Sequence, residues 1–174
     1  MLFGASGSEA PDDKEVFVDG GLIRIGDLRQ SEIKVDEAHD LAVVHVGIAG
    51  ARLPSSVIAP PTARIIALHG YLARDFRRSL AQGVLRPAPF IYQNLRRPAK
   101  PGFVALKFPR KNIGTFTSTR AHAPIPKGLS GGPMLDAIAL WHGHVSIQGV
   151  FIEHEQDVGL GGGGDSVLAL LASL

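Results

Sequence analysis

A serine sits among glycines in "PKGLSGGPMLD" (126–136). A serine hydroxyl acts as a nucleophile at neutral pH when three conditions hold. It must be exposed, a base must take its proton, and backbone N–H groups must face the oxyanion it creates. A glycine-rich turn supplies two of the three. Gly128, Gly131 and Gly132 lack Cβ atoms, so they can take unusual backbone angles and let a carbonyl substrate come close to the main chain. Pro133 then fixes the exit into the next strand. Glycine, serine and proline are also the commonest turn formers, so the same residues read as a plain tight turn.

Other reactive groups narrow the chemistry. Cysteine is absent, which excludes thiolate nucleophiles and thiolate-bound metals. His142 and His144 have a spacing that could hold a metal, but no carboxylate accompanies them, and they read as surface. No metal and no cofactor are expected. In "HDLAVVHV" (39–46) Asp40 stands at the head of a short apolar run, where an aspartate can orient a base or simply begin an exposed strand.

Taken together, "GLSGGPMLD", the downstream "IQGVFIEH" and the upstream "HDLAVVHV" resemble the trypsin-like (chymotrypsin-fold) serine proteases, over roughly residues 15–160. In that family a G-x-S-G-G-P turn carries the nucleophile and a D-[IL]-A-[LV] element carries the aspartate. Asp40 precedes Ser130 by 90 residues, against about 93 in the worked triad. The resemblance implies that Ser130 attacks the scissile carbonyl and that the amides of Gly128 and Ser130 form the oxyanion hole. It implies that Asp40 orients the base. The strand from Ile147 to His154 would line the cleft, with Ile152, Glu153 and His154 opposite the substrate backbone. The floor of the primary pocket would lie near Pro124, where no acidic group is present, so a small or apolar substrate side chain is expected. Leu129 stands where many members have an aspartate, so the activation switch that uses that aspartate is not expected.

The base is missing from this pattern. The template places the histidine about 45 residues before the aspartate, and no histidine precedes His39. His39 adjoins Asp40, but neighbouring strand residues face opposite ways. His45 reads as a core or rim imidazole, His69 precedes a glycine-aromatic turn, His122 stands shortly before the nucleophile where it would touch a substrate side chain, and His154 would lie on the cleft wall. Two readings stay open. The chain is a serine endopeptidase whose first strands, with the histidine, have been lost, or it is an inactive relative that binds peptides or serves as a scaffold. An α/β-hydrolase reading of "GLSGG" requires a strand before the serine and a helix after it, and prolines 124, 126 and 133 oppose that.

The elements that position these residues are short. With 174 residues, 45% hydrophobic, 21 glycines and 12 prolines, the composition favours many turns and β-rich architecture. The expected fold is all-β: a double β-barrel of trypsin-like type with an incomplete N-terminal barrel, plus a short C-terminal helix. Residues 1–14 read as an arm and 15–50 as the partial barrel, with a hairpin over 15–28. Residues 51–63, with three prolines, read as a connector, and 64–158 as the C-terminal barrel. Within that barrel, strands are expected over 64–71, 90–95, 102–108, 114–120, 133–140 and 144–154. Residues 159–174 read as a glycine loop and a helix capped by Asp165 or Ser166.

A formal charge of +2 is too small a surplus for a nucleic-acid footprint. No apolar run reaches membrane-spanning length and no secretory signal is visible, so the chain reads as cytoplasmic as written. The expected partner is a peptide or protein substrate. A partner chain or self-association would cover the open edge of an incomplete barrel.

Overall fold

The computed structural model describes residues 2–3, 15–18, 21–24, 33–44, 54–73, 89–109, 111 and 123–173. The N-terminal part contains β1 (Leu2–Phe3), β2 (Glu15–Val18), β3 (Gly21–Arg24), β4 (Ile33–Asp36) and β5 (Leu41–Val44). Strands β1, β5 and β4 form one antiparallel sheet in that order, and β2 pairs with β3 as a separate hairpin. The hairpin lies within the stretch expected from sequence.

Six antiparallel strands then close a barrel. They are β6 (Ile65–Gly70), β7 (Phe90–Arg97), β8 (Phe103–Lys107), β9 (Pro133–Asp136), β10 (Ile147–Glu155) and β11 (Val158–Gly163), in the order β10-β11-β8-β7-β6-β9. Strand alternation sends Ile66, Leu68, Tyr92, Val104, Leu106, Met134 and Phe151 inward, where they pack with Phe108 and Leu129. Each such burial contributes about 1.5–3 kcal/mol. This closed antiparallel barrel leaves no place for an α/β-hydrolase sheet.

Two expectations about elements are corrected. The apolar run over 133–140 is not one strand. It turns at Asp136, whose Oδ1 accepts from the amides of Ile138 at 2.9 Å and Ala139 at 3.1 Å, and this cap starts helix α1 (Ala137–Trp141). The second correction concerns 159–163, read as a flexible glycine loop but folded as β11. A Cβ on Gly161 would lie 2.4 Å from the Val150 carbonyl oxygen, and one on Gly162 would lie 2.6 Å from Leu41 Cδ1. Glycine is there for close approach rather than for flexibility.

Helix α2 (Gly164–Ala172) follows directly. Its N-cap is Gly163, without a side-chain cap bond, so Asp165 and Ser166 lie inside the first turn. Ser166 Oγ instead donates to Gly102 O at 3.0 Å. The strand expected over 114–120 lies outside the described residues.

A second core joins the two parts. Leu41 and Val43 of β5 pack with Val150 of β10 and with Val167 and Leu170 of α2. The connector is held by Gln148, whose Oε1 accepts from the amides of Thr62 and Ala63, both at 2.9 Å. The architecture is all-β, with a closed six-stranded barrel, a second sheet and a short C-terminal helix.

Candidate active site

The turn that carries Ser130 is built from opposed requirements. Leu129 is 1% exposed and anchors the turn in the barrel core, while its neighbour Ser130 faces outward and is exposed. The Leu129 amide donates to Pro126 O at 3.0 Å, closing a β-turn whose third residue, Gly128, has φ +95. A positive φ there marks a type II geometry, which favours glycine. Gly131 has φ +86, and the Gly132 amide donates to Leu129 O at 2.8 Å.

One backbone contact sets the direction of the Gly128 amide. Lys127 O accepts from the Ala73 amide at 2.9 Å. In a trans peptide the C=O and the following N–H point to opposite sides, so the Gly128 N–H points away from Ala73. Among the described residues, neither the Gly128 nor the Ser130 amide donates to a protein acceptor.

The turn is laced to β10. Gly131 N donates to Phe151 O at 2.8 Å, and Phe151 N donates to Gly132 O at 2.9 Å. Ser130 Oγ donates to Ile152 O at 2.6 Å. Ile152 stands at a bulge, between the pairs Phe151–Gly161 and Glu153–Leu160. A backbone carbonyl accepts a hydrogen bond but does not act as the base, so this contact fixes the hydroxyl without activating it.

Asp40 lies at the other candidate position. It has φ 50 and follows a short 3-10 turn (Glu37–His39) capped by Asp36. Its neighbour Leu41 is 0% exposed and packs with Val150 and over Gly162. Strand β10 therefore bears both contacts, Leu41 on Val150 and Ser130 on Ile152, two residues further along. Among the described residues, no hydrogen bond joins Asp40 to Ser130.

Among the described residues, no histidine side chain hydrogen-bonds Ser130 or Asp40. His39 is oriented by Asp36, not by Asp40: its Nδ1 lies 2.7 Å from Asp36 Oδ2. The His39 ring sits 5.1 Å from that of Phe103, with Nε2 over Gly102. In the barrel order, β10 and β11 separate that point on β8 from the Ser130 turn. The sequence reading missed this pair, whose signal is the D-x-x-H spacing across one turn.

His69 lies edge-on to Tyr71 at 6.3 Å. His154 Nε2 donates to Phe108 O at 3.1 Å, and the ring packs on Phe108 at 4.9 Å. His142 and His144 are exposed after α1. His45 and His122 lie outside the described residues. Pro124 is half-buried in the extended segment that enters the turn, and Glu153 is exposed on β10. Among the described residues, no group of three or more histidine, aspartate or glutamate side chains could hold a metal ion.

No protein-family model matches the chain, and no curated protein matches it. Among solved structures it is similar to a serine protease of a human pathogenic astrovirus, with a TM-score of 0.54 and 11% identity. The likeness covers 93% of this chain and 75% of that one. At that identity it bears on architecture alone: the chain has a chymotrypsin-like fold.

Proposed function

We propose that the chain is a serine peptidase that hydrolyses peptide bonds through an acyl-enzyme on Ser130. In this reading Ser130 Oγ adds to the scissile carbonyl and gives its proton to a base. The carbonyl oxygen becomes an oxyanion held by the Gly128 and Ser130 amides. Collapse expels the amine, which takes up the proton, and water then releases the acid and restores the hydroxyl. Asp40 orients the base, and Pro124, Ile152, Glu153 and His154 line the cleft. The observation that carries the reading is the exposed hydroxyl on a turn whose two flanking amides have no protein acceptor among the described residues. The likeness to a viral serine protease supports it at the level of fold.

Among the described residues, no histidine hydrogen-bonds Ser130 Oγ, so the reading stands or falls on whether the hydroxyl reacts. A fluorophosphonate probe should label the chain at Ser130 and leave Ser130→Ala unlabelled. Equal signals from both proteins would overturn the peptidase reading. Equal signals with retained peptide binding would identify a peptide-binding protein with a disabled site.

A further inference from the structure

Resting on that reading, we propose that Glu153 makes the cleft select substrates with a basic side chain close to the scissile bond. The argument begins with covalent distance. Glu153 is joined through its amide to the carbonyl that holds Ser130 Oγ at 2.6 Å. Three covalent bonds and that hydrogen bond place its Cα at most about 7 Å from the nucleophile. An extended peptide advances about 3.3 Å per residue. Any peptide whose carbonyl reaches Ser130 therefore passes within a few residues of this carboxylate.

The register shows which way the side chain faces. Glu153 pairs with Leu160, Leu160 with Ala105, and Ala105 with Arg97, in one row across β10, β11, β8 and β7. The adjacent row on the same outer face runs from Val150 through Gly162 to Phe103. That row is where Leu41 covers the barrel. Glu153 thus stands on the outer face, beside the place where the N-terminal sheet meets β10.

Glu153 is exposed and, among the described residues, makes no side-chain hydrogen bond or ion pair. Directly opposite it is apolar Leu160. The cations nearest in the ladder are Lys107, two strands away in the next outward row, and Arg97, three strands away. Glu155, opposite Val158, adds negative charge on the same strand. A lysine or arginine can lay its methylene stem on Leu160 and bring its cation to Glu153.

The test uses binding, so that it does not depend on turnover. Short peptides of one sequence, carrying Lys, Gln or Glu at each position in turn, are titrated against Ser130→Ala by fluorescence anisotropy. Lys at one position should bind about three- to fivefold more tightly than Gln, the scale of an exposed ion pair. The preference should weaken as salt is added. It should vanish in S130A/E153Q and invert in S130A/E153K, with unchanged thermal stability because the residue is exposed. Charge-blind binding, or a preference that survives E153Q, overturns the inference. If fluorophosphonate still labels wild-type Ser130 in that case, the peptidase reading stands. No labelling and no peptide binding overturns both.

Discussion

At Gly128 two constraints coincide. Its φ of +95 costs an L-residue about 1–2 kcal/mol, and a Cβ there would lie 2.6 Å from the Ala73 nitrogen, the donor that fixes the Lys127 carbonyl. Gly128→Ala should therefore rotate the peptide that presents the oxyanion donor. The expected result is a fall of about 10²–10³ in the rate of Ser130 labelling with only a small drop in melting temperature. A rate within a factor of two of wild type would show that this amide does not serve the site. Such a position can be read from sequence because only glycine suits it. The Asp36–His39 pair was missed because residues 36–39 were read without the 3-10 turn that brings the i and i+3 side chains together. Tyr92 gives a second prediction at this scale. Burial pushes its phenol above the ordinary 10.0; a bond from Asn94 opposes this, and the charge of Asp157 adds to it. The folded chain keeps the proton at pH values where the unfolded chain has lost it. Stability is then fully present below pH 10 and declines as pH rises above it. Tyr92→Phe should flatten that decline while losing about 1 kcal/mol at neutral pH with the Asn94 bond. Thermal melts from neutral to strongly alkaline pH test it, and equal alkaline slopes in the two proteins would refute it.

Among the elements, β11 shows what composition conceals. A run of glycines signals a loop when only local conformational freedom is considered. Here the close approach of neighbours decides instead. β11 pairs with β10 on one side and β8 on the other, and Gly162 lies under Leu41. Gly162→Ala should cost about 1–3 kcal/mol by overpacking. Combining it with Leu41→Ala, which vacates the space, should cost less than the sum of the two single changes. A double-mutant cycle by urea unfolding measures this, and strict additivity would mean the two residues do not press on each other. Strands β6, β7, β8 and β10 were legible because β-branched and aromatic residues recur between turn signals. The end of β9 was not, because the apolar pattern of "PMLDAIAL" continues across Asp136. Only the two amides received by that carboxylate show where the strand stops.

Across the whole molecule, a core inside the barrel adjoins a core that the barrel shares with the N-terminal sheet. Residues of the barrel core all come from Ala63 onward. The second core unites β5 with β10 and α2. The peptidase reading needs both, since Ser130 belongs to the barrel and Asp40 arrives with the N-terminal sheet. Leu41, adjacent to Asp40 and 0% exposed, ties them together by packing with Val150 and over Gly162. Leu41→Ala should cost about 2–5 kcal/mol, the usual range for a buried leucine that leaves a cavity. Because the barrel has a core of its own, that cost should fall unevenly. In hydrogen exchange, amides of β4, β5 and α2 should lose protection while β6, β7 and β8 keep theirs. Ser130 labelling should drop together with the β5 protection, since the sheet that carries Asp40 is then held loosely. Uniform loss of protection through barrel and sheet alike would mean that the molecule unfolds as one cooperative body. Unchanged labelling on a loosened sheet would mean that Asp40 takes no part in activating the hydroxyl.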